Sequence, residues 1–190
     1  MKVYNNIFEK IISLENLFSA WDKFKKNKRA KRDVQKFEWQ LEHNIFQLHR
    51  DLKSQKYKHG PYSGFYIRDP KQRHIHKAAV RDRVLHHAVF KILNPICETT
   101  FIADSFSCRI GKGTHKGVAA LENAIRKVSR NYSGQCFALK CDIRKFFDSV
   151  NHRILKNILA RRIKDIQALK LCVEIINSFR TESPRERERV

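Results

Sequence analysis

The chain has 190 residues, and 40 lysines and arginines against 19 aspartates and glutamates give it a formal charge of +21, which calls for a polyanionic partner, nucleic acid by default. No apolar run reaches the roughly 18 residues of a membrane span and no signal peptide is recognisable, so a cytoplasmic protein without a membrane partner is expected. Five cysteines (Cys97, Cys108, Cys136, Cys141, Cys172) form neither a CxxC pair nor a close Cys/His set, which argues against structural zinc and for reduced, mostly buried thiols.

From the amino terminus, Ile7, Ile11, Leu14, Phe18 and Trp21 recur at helical spacing, and Val34, Phe37, Leu41, Ile45, Leu48 and Leu52 form a second apolar stripe. The basic run KKNKRAKR at 25–32 connects the two, and Gly60-Pro61 ends this helical region, 1–60. Tyr62–Ile67 and Arg73–His76 read as short strands around the turn Asp69-Pro70-Lys71, a hairpin with cations at its tip. Val80, Val84, Ala88 and Ile92 predict a helix that Asn94-Pro95 closes. Arg81 and Arg83 sit at its start, where the helix dipole disfavours cations, so a phosphate or a buried acid such as Asp82 is needed beside them. His86 and His87 are adjacent on this helix and point apart, which spoils them as a chelating pair.

The loop SCRIGKGTHKG precedes a helix built on Val118, Leu121, Ile125 and Val128. Its glycines and its cations Arg109, Lys112, His115 and Lys116 suit approach to a nucleic-acid backbone, although the spacing is not that of a Walker loop. A flexible connection between helices is the other reading. Next, Cys136, Phe137, Ala138, Leu139 and Cys141 predict a short buried strand that delivers Asp142 onto a turn with Phe146 and Phe147. Aspartate is costly to bury unless paired or bound to a cation, so Asp142 reads as a ligand for a hard divalent ion or as a solvated turn residue. Phe146 is expected in the core. Asn151 is a candidate N-cap for a helix carrying Ile154, Leu155, Ile158 and Leu159, and a last helix has Ile166, Leu169, Val173 and Ile176 inward. The final ten residues, TESPRERERV, resemble neither a closing strand nor a docking helix, so the chain is expected to stop in mid-domain.

Five segments in order carry a resemblance: FYIRDPKQRHI, RDRVLHHAV, DSFSCRIGKGTHKG, KCDIRKFFDSVNH and ARRIKD. Together they resemble the fingers and palm motifs of prokaryotic reverse transcriptases, especially those of diversity-generating retroelements, with group II intron and retron enzymes more distant. Ala79 stands where close relatives often have proline, and Cys108 where more distant members have glycine. The family's Tyr-x-Asp-Asp turn has no counterpart, no two aspartates are adjacent, and truncation is the expected explanation.

The resemblance implies an α+β polymerase right hand: a helical extension at 1–60, fingers at 61–134 and the first part of the palm at 135–190. It implies an RNA-directed DNA polymerase with an RNA template, a primer strand, dNTP and Mg²⁺, inactive as this chain alone. Asp142 and the carbonyl of Ile143 would share in a pair of Mg²⁺ ions about 3.5–4 Å apart. Phe147 would exclude a ribose 2′-hydroxyl, Arg68 and Arg73 would reach the triphosphate with help from Lys71, and Arg109, Lys112, His115 and Lys116 would contact the template. A non-catalytic RNA-binding module built on the same basic surface is the alternative.

Overall fold

The computed structural model describes residues 2–179, so the tail at 181–190 lies outside the described residues. The fold is helix-rich with a small antiparallel sheet, in agreement with α+β. Two compact units are present, Met1–Leu93 together with Phe146–Val190, and Asn94–Lys145.

In the first unit the amino-terminal stripe forms two helices, α1 (Phe8–Ile12) and α2 (Leu14–Phe24), because Ser13 leaves the helical conformation and its hydroxyl accepts from the Asn16 amide. The break resets the phase, so α2 buries Leu17, Ala20, Trp21 and Phe24 rather than Leu14 and Phe18. The second stripe also divides, at Gln40, into α3 (Arg32–Trp39) and α4 (Leu41–Lys53), and buries Val34, Phe37, Ile45, Leu48 and Leu52 as expected. Strands β1 (Ser63–Arg68) and β2 (Gln72–Lys77) form the expected hairpin, with Tyr66 opposite His74 and Ile67 opposite Arg73. Helix α5 (Val80–Glu98) buries Val84, Leu85 and Ala88 in this unit. It runs through Pro95 instead of closing there.

The rest of the first unit follows a one-turn helix, α7 (Phe146–Ser149), with α8 (His152–Arg162) and α9 (Ile166–Ser178). Asn151 caps α8 as expected, its side chain accepting from the amides of Arg153 and Ile154 at 3.0 and 3.2 Å. The most buried residues of α9 are Ala168, Leu171 and Cys172; of the expected stripe Leu169, Val173 and Ile176 are half-buried and Ile166 is exposed. Asp165 caps this helix. One of its oxygens accepts from Gln167 and Ala168 at the start of α9, and the other from Ile7 and Phe8 at the start of α1, both at 2.8 Å. Burial would raise its pKa, but the four backbone donors outweigh burial and hold it below the ordinary carboxylate value. Beside it, Tyr4 bridges to the Arg162–Lys164 backbone.

The second unit contains α6 (Thr114–Val128), which forms where the apolar spacing predicts, yet Val118, Leu121 and Val128 are exposed. The expected buried strand at Cys136–Cys141 is absent: this stretch has no regular structure, and Phe137 and Leu139 are each 90% exposed. A strand needs a neighbour for its backbone N–H and C=O groups, and the described residues offer none beside it. Cys136 and Cys141 are therefore exposed, and Cys108 on the glycine loop is exposed as well, contrary to the expectation of mostly buried thiols, whereas Cys172 is buried.

Asp165→Ala removes acceptors from two helix starts at once. It is expected to lower the unfolding free energy by about 2 kcal/mol or more, the scale of losing two caps, with Asp165→Asn intermediate. Urea denaturation followed by circular dichroism measures this, and an unshifted midpoint would exclude the double-cap role.

Candidate functional site

The hairpin is mounted on the first turn of α5 through Asp82, which is buried. Its carboxylate accepts from the Tyr57 hydroxyl at 2.8 Å and the Gly60 amide at 3.1 Å, which fastens the segment entering β1. A Cβ at Gly60 would stand 2.9 Å from the Asp82 oxygen, so the close approach requires glycine. Burial and the hydrogen bond to Asp82 raise the Tyr57 pKa far above its ordinary value, which keeps this phenol a donor. A carboxylate in the first turn also suits the helix dipole.

Arg81 and Arg83 diverge from Asp82 to two other acids. Arg81 lies over the Tyr57 ring and donates to Asp51 at 2.6 Å, and Arg83 lies over the Phe24 ring and donates to Asp33 at 2.5 Å. The acids that offset the unfavourable dipole are therefore Asp51 and Asp33, rather than the expected Asp82. Lys77, at the end of β2, also binds Asp33, at 2.7 Å. Burial raises the Asp33 pKa, but the two cations outweigh it and the net direction is downward. Both ends of the hairpin are thus fastened by acids.

What the hairpin presents follows from its register. Gly64, Tyr66 and Arg68 share one face with Gln72, His74 and His76; Phe65, Ile67, Arg73 and Ile75 share the other. Arg68 and Arg73 accordingly lie on opposite faces, with Lys71 in the turn between them. All three are exposed, and none makes an ion pair among the described residues. On the Arg68 face Tyr66 stacks on His74 with ring centroids 4.5 Å apart, and His76 meets His74 edge-on at 4.3 Å.

Behind the hairpin base, the His59 Nδ1–H donates to the Gly60 carbonyl at 2.6 Å, and His59 Nε2 lies 3.1 Å from His86 Nε2. One proton fits between those two nitrogens. Burial, then the neighbouring His59, pushes the His86 pKa down to about 4. His87 points elsewhere, as expected, against Phe24, and is also shifted down, by burial and then by Lys28 and Lys23.

Phe146 and Phe147 belong to the first unit, on α7, with ring centroids 5.5 Å apart. Phe147 is 81% exposed and free to meet a ligand; Phe146 is 53% exposed, so it does not take the expected core position. Asp142 and Ile143 belong to the second unit, where both are exposed on the irregular stretch. Asp142 thus lacks the strand end that was expected to hold it rigidly. Among the described residues no three His, Cys, Asp or Glu side chains gather as a metal set. A lone carboxylate does not build a two-metal centre.

In the same unit the glycine loop folds on its own cations. Arg109 pairs with Glu98 at 2.6 Å, donates to the carbonyls of Ile102 and Ser105, and lies over Phe101. Lys112 donates to the Ala103 carbonyl and lies over Phe106. Two of the four expected backbone-contacting groups are therefore spent on shaping the loop, while His115 and Lys116 are exposed at the start of α6. The acid partners Asp33 and Asp51 were not singled out from sequence; the only available signal was a cationic pair at a helix start that needed offsetting.

No helix among the described residues is long and apolar enough to cross a membrane. No family model matches the chain. It is similar to nuclear intron maturase 1, mitochondrial, of Arabidopsis thaliana, with 30% identity over 91 residues, covering 48% of this chain and 12% of that protein. Protein YkfC of Escherichia coli is 26% identical over 133 residues, 69% of this chain and 34% of its own length. Nuclear intron maturase 2, mitochondrial, of Arabidopsis thaliana is 22% identical over 144 residues, 67% of this chain and 19% of that protein. The chain therefore spans 12–34% of the length of these relatives, and its similarity to intron maturases is distant and partial.

Neutral His86 and His87 set a pH dependence. Their folded pKa values lie below the ordinary 6.5, so the unfolded chain binds more protons below that pH. Stability is expected to be full above pH 6.5 and to fall as pH drops towards 4. Thermal melts across this range should show a decline of several degrees that His86→Gln flattens. A Tm independent of pH in that window would contradict the neutral pair.

Proposed function

We propose that this chain supplies RNA binding to a reverse-transcriptase-related protein, with the basic hairpin as its main contact. The observation that carries the reading is a hairpin with unpaired Arg68, Lys71 and Arg73 around its tip, fixed at its base by Asp82 and Asp33. Exposed guanidinium and ammonium groups on a rigid mount give phosphate affinity without side-chain rearrangement. The charge of +21 and the similarity to proteins named intron maturases support RNA as the polyanion. His115 and Lys116 add cations in the second unit.

The finer reading, an RNA-directed DNA polymerase like those of diversity-generating retroelements, gives the same residues further roles. Arg68 and Arg73 would steady the dNTP phosphates and Phe147 would select the sugar. Asp142 and the Ile143 carbonyl would be this chain's share of a Mg²⁺ site, and bound Mg²⁺ would supply charge stabilisation for nucleotidyl transfer. Among the described residues no further set of His, Cys, Asp or Glu gathers around Asp142. The second reading is a non-catalytic RNA-binding module built on the same exposed cations, Arg68, Lys71 and Arg73, which needs no metal site.

Replacing Arg68, Lys71 and Arg73 together by alanine is expected to weaken binding of a labelled single-stranded RNA. It should also flatten the log–log salt dependence by about two, three phosphate contacts at roughly 0.7 each. Fluorescence anisotropy at several salt concentrations reads both. A native chain with no RNA affinity at low salt would end the RNA-binding reading. Primer extension by the full reading frame that encodes this chain, with Asp142→Ala beside it, separates polymerase from binding module: extension abolished by the substitution supports the first, and none by either protein supports the second.

A further inference from the structure

We infer that the groove beside Trp39 is a second contact for single-stranded RNA, in which the indole stacks on a base and Arg32 and Lys36 take the adjoining phosphates. This site on the amino-terminal helices rests on the RNA-binding reading above and extends it. Helix α3 has two faces. Val34 and Phe37 are buried, whereas Arg32, Lys36 and Trp39 follow one another at spacings of four and three and so line one stripe. Trp39 is 89% exposed, in contrast with Trp21 in the core at 1%. The stripe borders a groove of about 990 Å³ whose apolar lining includes Phe37, Ala78 and Val80, large enough for a nucleotide.

The charges around the groove select the occupant. Asp33, the acid on its lining, is bonded to both Lys77 and Arg83, and Arg81 is taken by Asp51. Arg32 and Lys36 have no ion-pair partner among the described residues, so the uncompensated charge on the lining is positive. Glu38 and Glu42 lie on the other side of Trp39, and Glu38 is bonded to Arg29. Phosphates are therefore directed to the Arg32–Lys36 side. A ring and cations interleaved on one helix face is the arrangement that holds a polynucleotide by base stacking and backbone charge, without sequence selection. A duplex does not offer the exposed base face that the indole needs.

The test uses the whole chain and a fluorescein-labelled oligouridine of about a dozen nucleotides. Trp39→Ala should weaken binding about tenfold while leaving the salt dependence unchanged, and Trp39→Phe, which keeps a ring, should recover most of the loss. Arg32→Ala with Lys36→Ala should instead flatten the salt slope by about one. Because Trp21 is buried, acrylamide quenching reports on Trp39, and oligouridine, but not duplex RNA, should reduce it. Native-level binding by Trp39→Ala, or quenching unaffected by RNA, overturns the site. If the native chain binds RNA and only the hairpin substitutions matter, this inference fails and the RNA-binding reading stands; if the native chain binds no RNA, both fail. An indole shielded without RNA in a concentration-dependent manner would assign the groove to a second copy and also overturn the proposal.

Discussion

The arrangement of the first unit around its hairpin depends on one buried carboxylate. Asp82 accepts from the Tyr57 hydroxyl and the Gly60 amide, which ties the start of α5 to the chain entering β1. Burying a carboxylate is costly without such donors, and removing one partner would leave the other unsatisfied. Turning Asp82 inward also turns its neighbours outward, since consecutive helical residues diverge. Arg81 and Arg83 then reach Asp51 and Asp33, and Asp33 reaches on to Lys77. A two-stranded hairpin with both faces wet is marginal on its own, so its orientation is that of its base.

The second unit shows the opposite economy. Its loop uses Arg109 and Lys112 to satisfy its own carbonyls, and α6 and the stretch through Asp142 leave large apolar side chains in water. Helix periodicity is sufficient to form α6 because its hydrogen bonds are internal. Strand propensity is not sufficient at Cys136–Cys141, because a strand's hydrogen bonds belong half to its neighbour. The same distinction explains why Asn151 caps a helix as expected while Asp142 has no strand to end.

What the sequence made legible was local. The hairpin, the Asn151 cap and α6 rest on turn residues, alternation and helical spacing within a few positions. The breaks at Ser13 and Gln40 are hidden because apolar spacing continues across them, whereas at Pro95 the usual helix-breaking rule points to an end that α5 passes through. Partners far apart in the chain were invisible: Asp165 to Ile7 and Phe8, Arg83 to Asp33, Arg81 to Asp51. Trp39 gives little signal in the sequence for another reason. Its stripe mixes a ring with cations, so it has helical spacing but no apolar period.

The hairpin register bears on what kind of phosphate ligand these cations can hold. Residues opposite one another in an antiparallel pair share a face, so Arg68 belongs with Tyr66, His74 and His76, and Arg73 with Ile67, Phe65 and Ile75. A compact triphosphate gripped by both arginines has to sit across the tip, near Lys71. An extended strand has no such restriction, because it can lie along the Arg68 face, where Tyr66 and His74 already stack and offer rings beside a guanidinium. Shape therefore separates the two ligands more sharply than charge does. Both are polyanions, but only the strand can use the ring face and a cation at the turn together without bending around the hairpin.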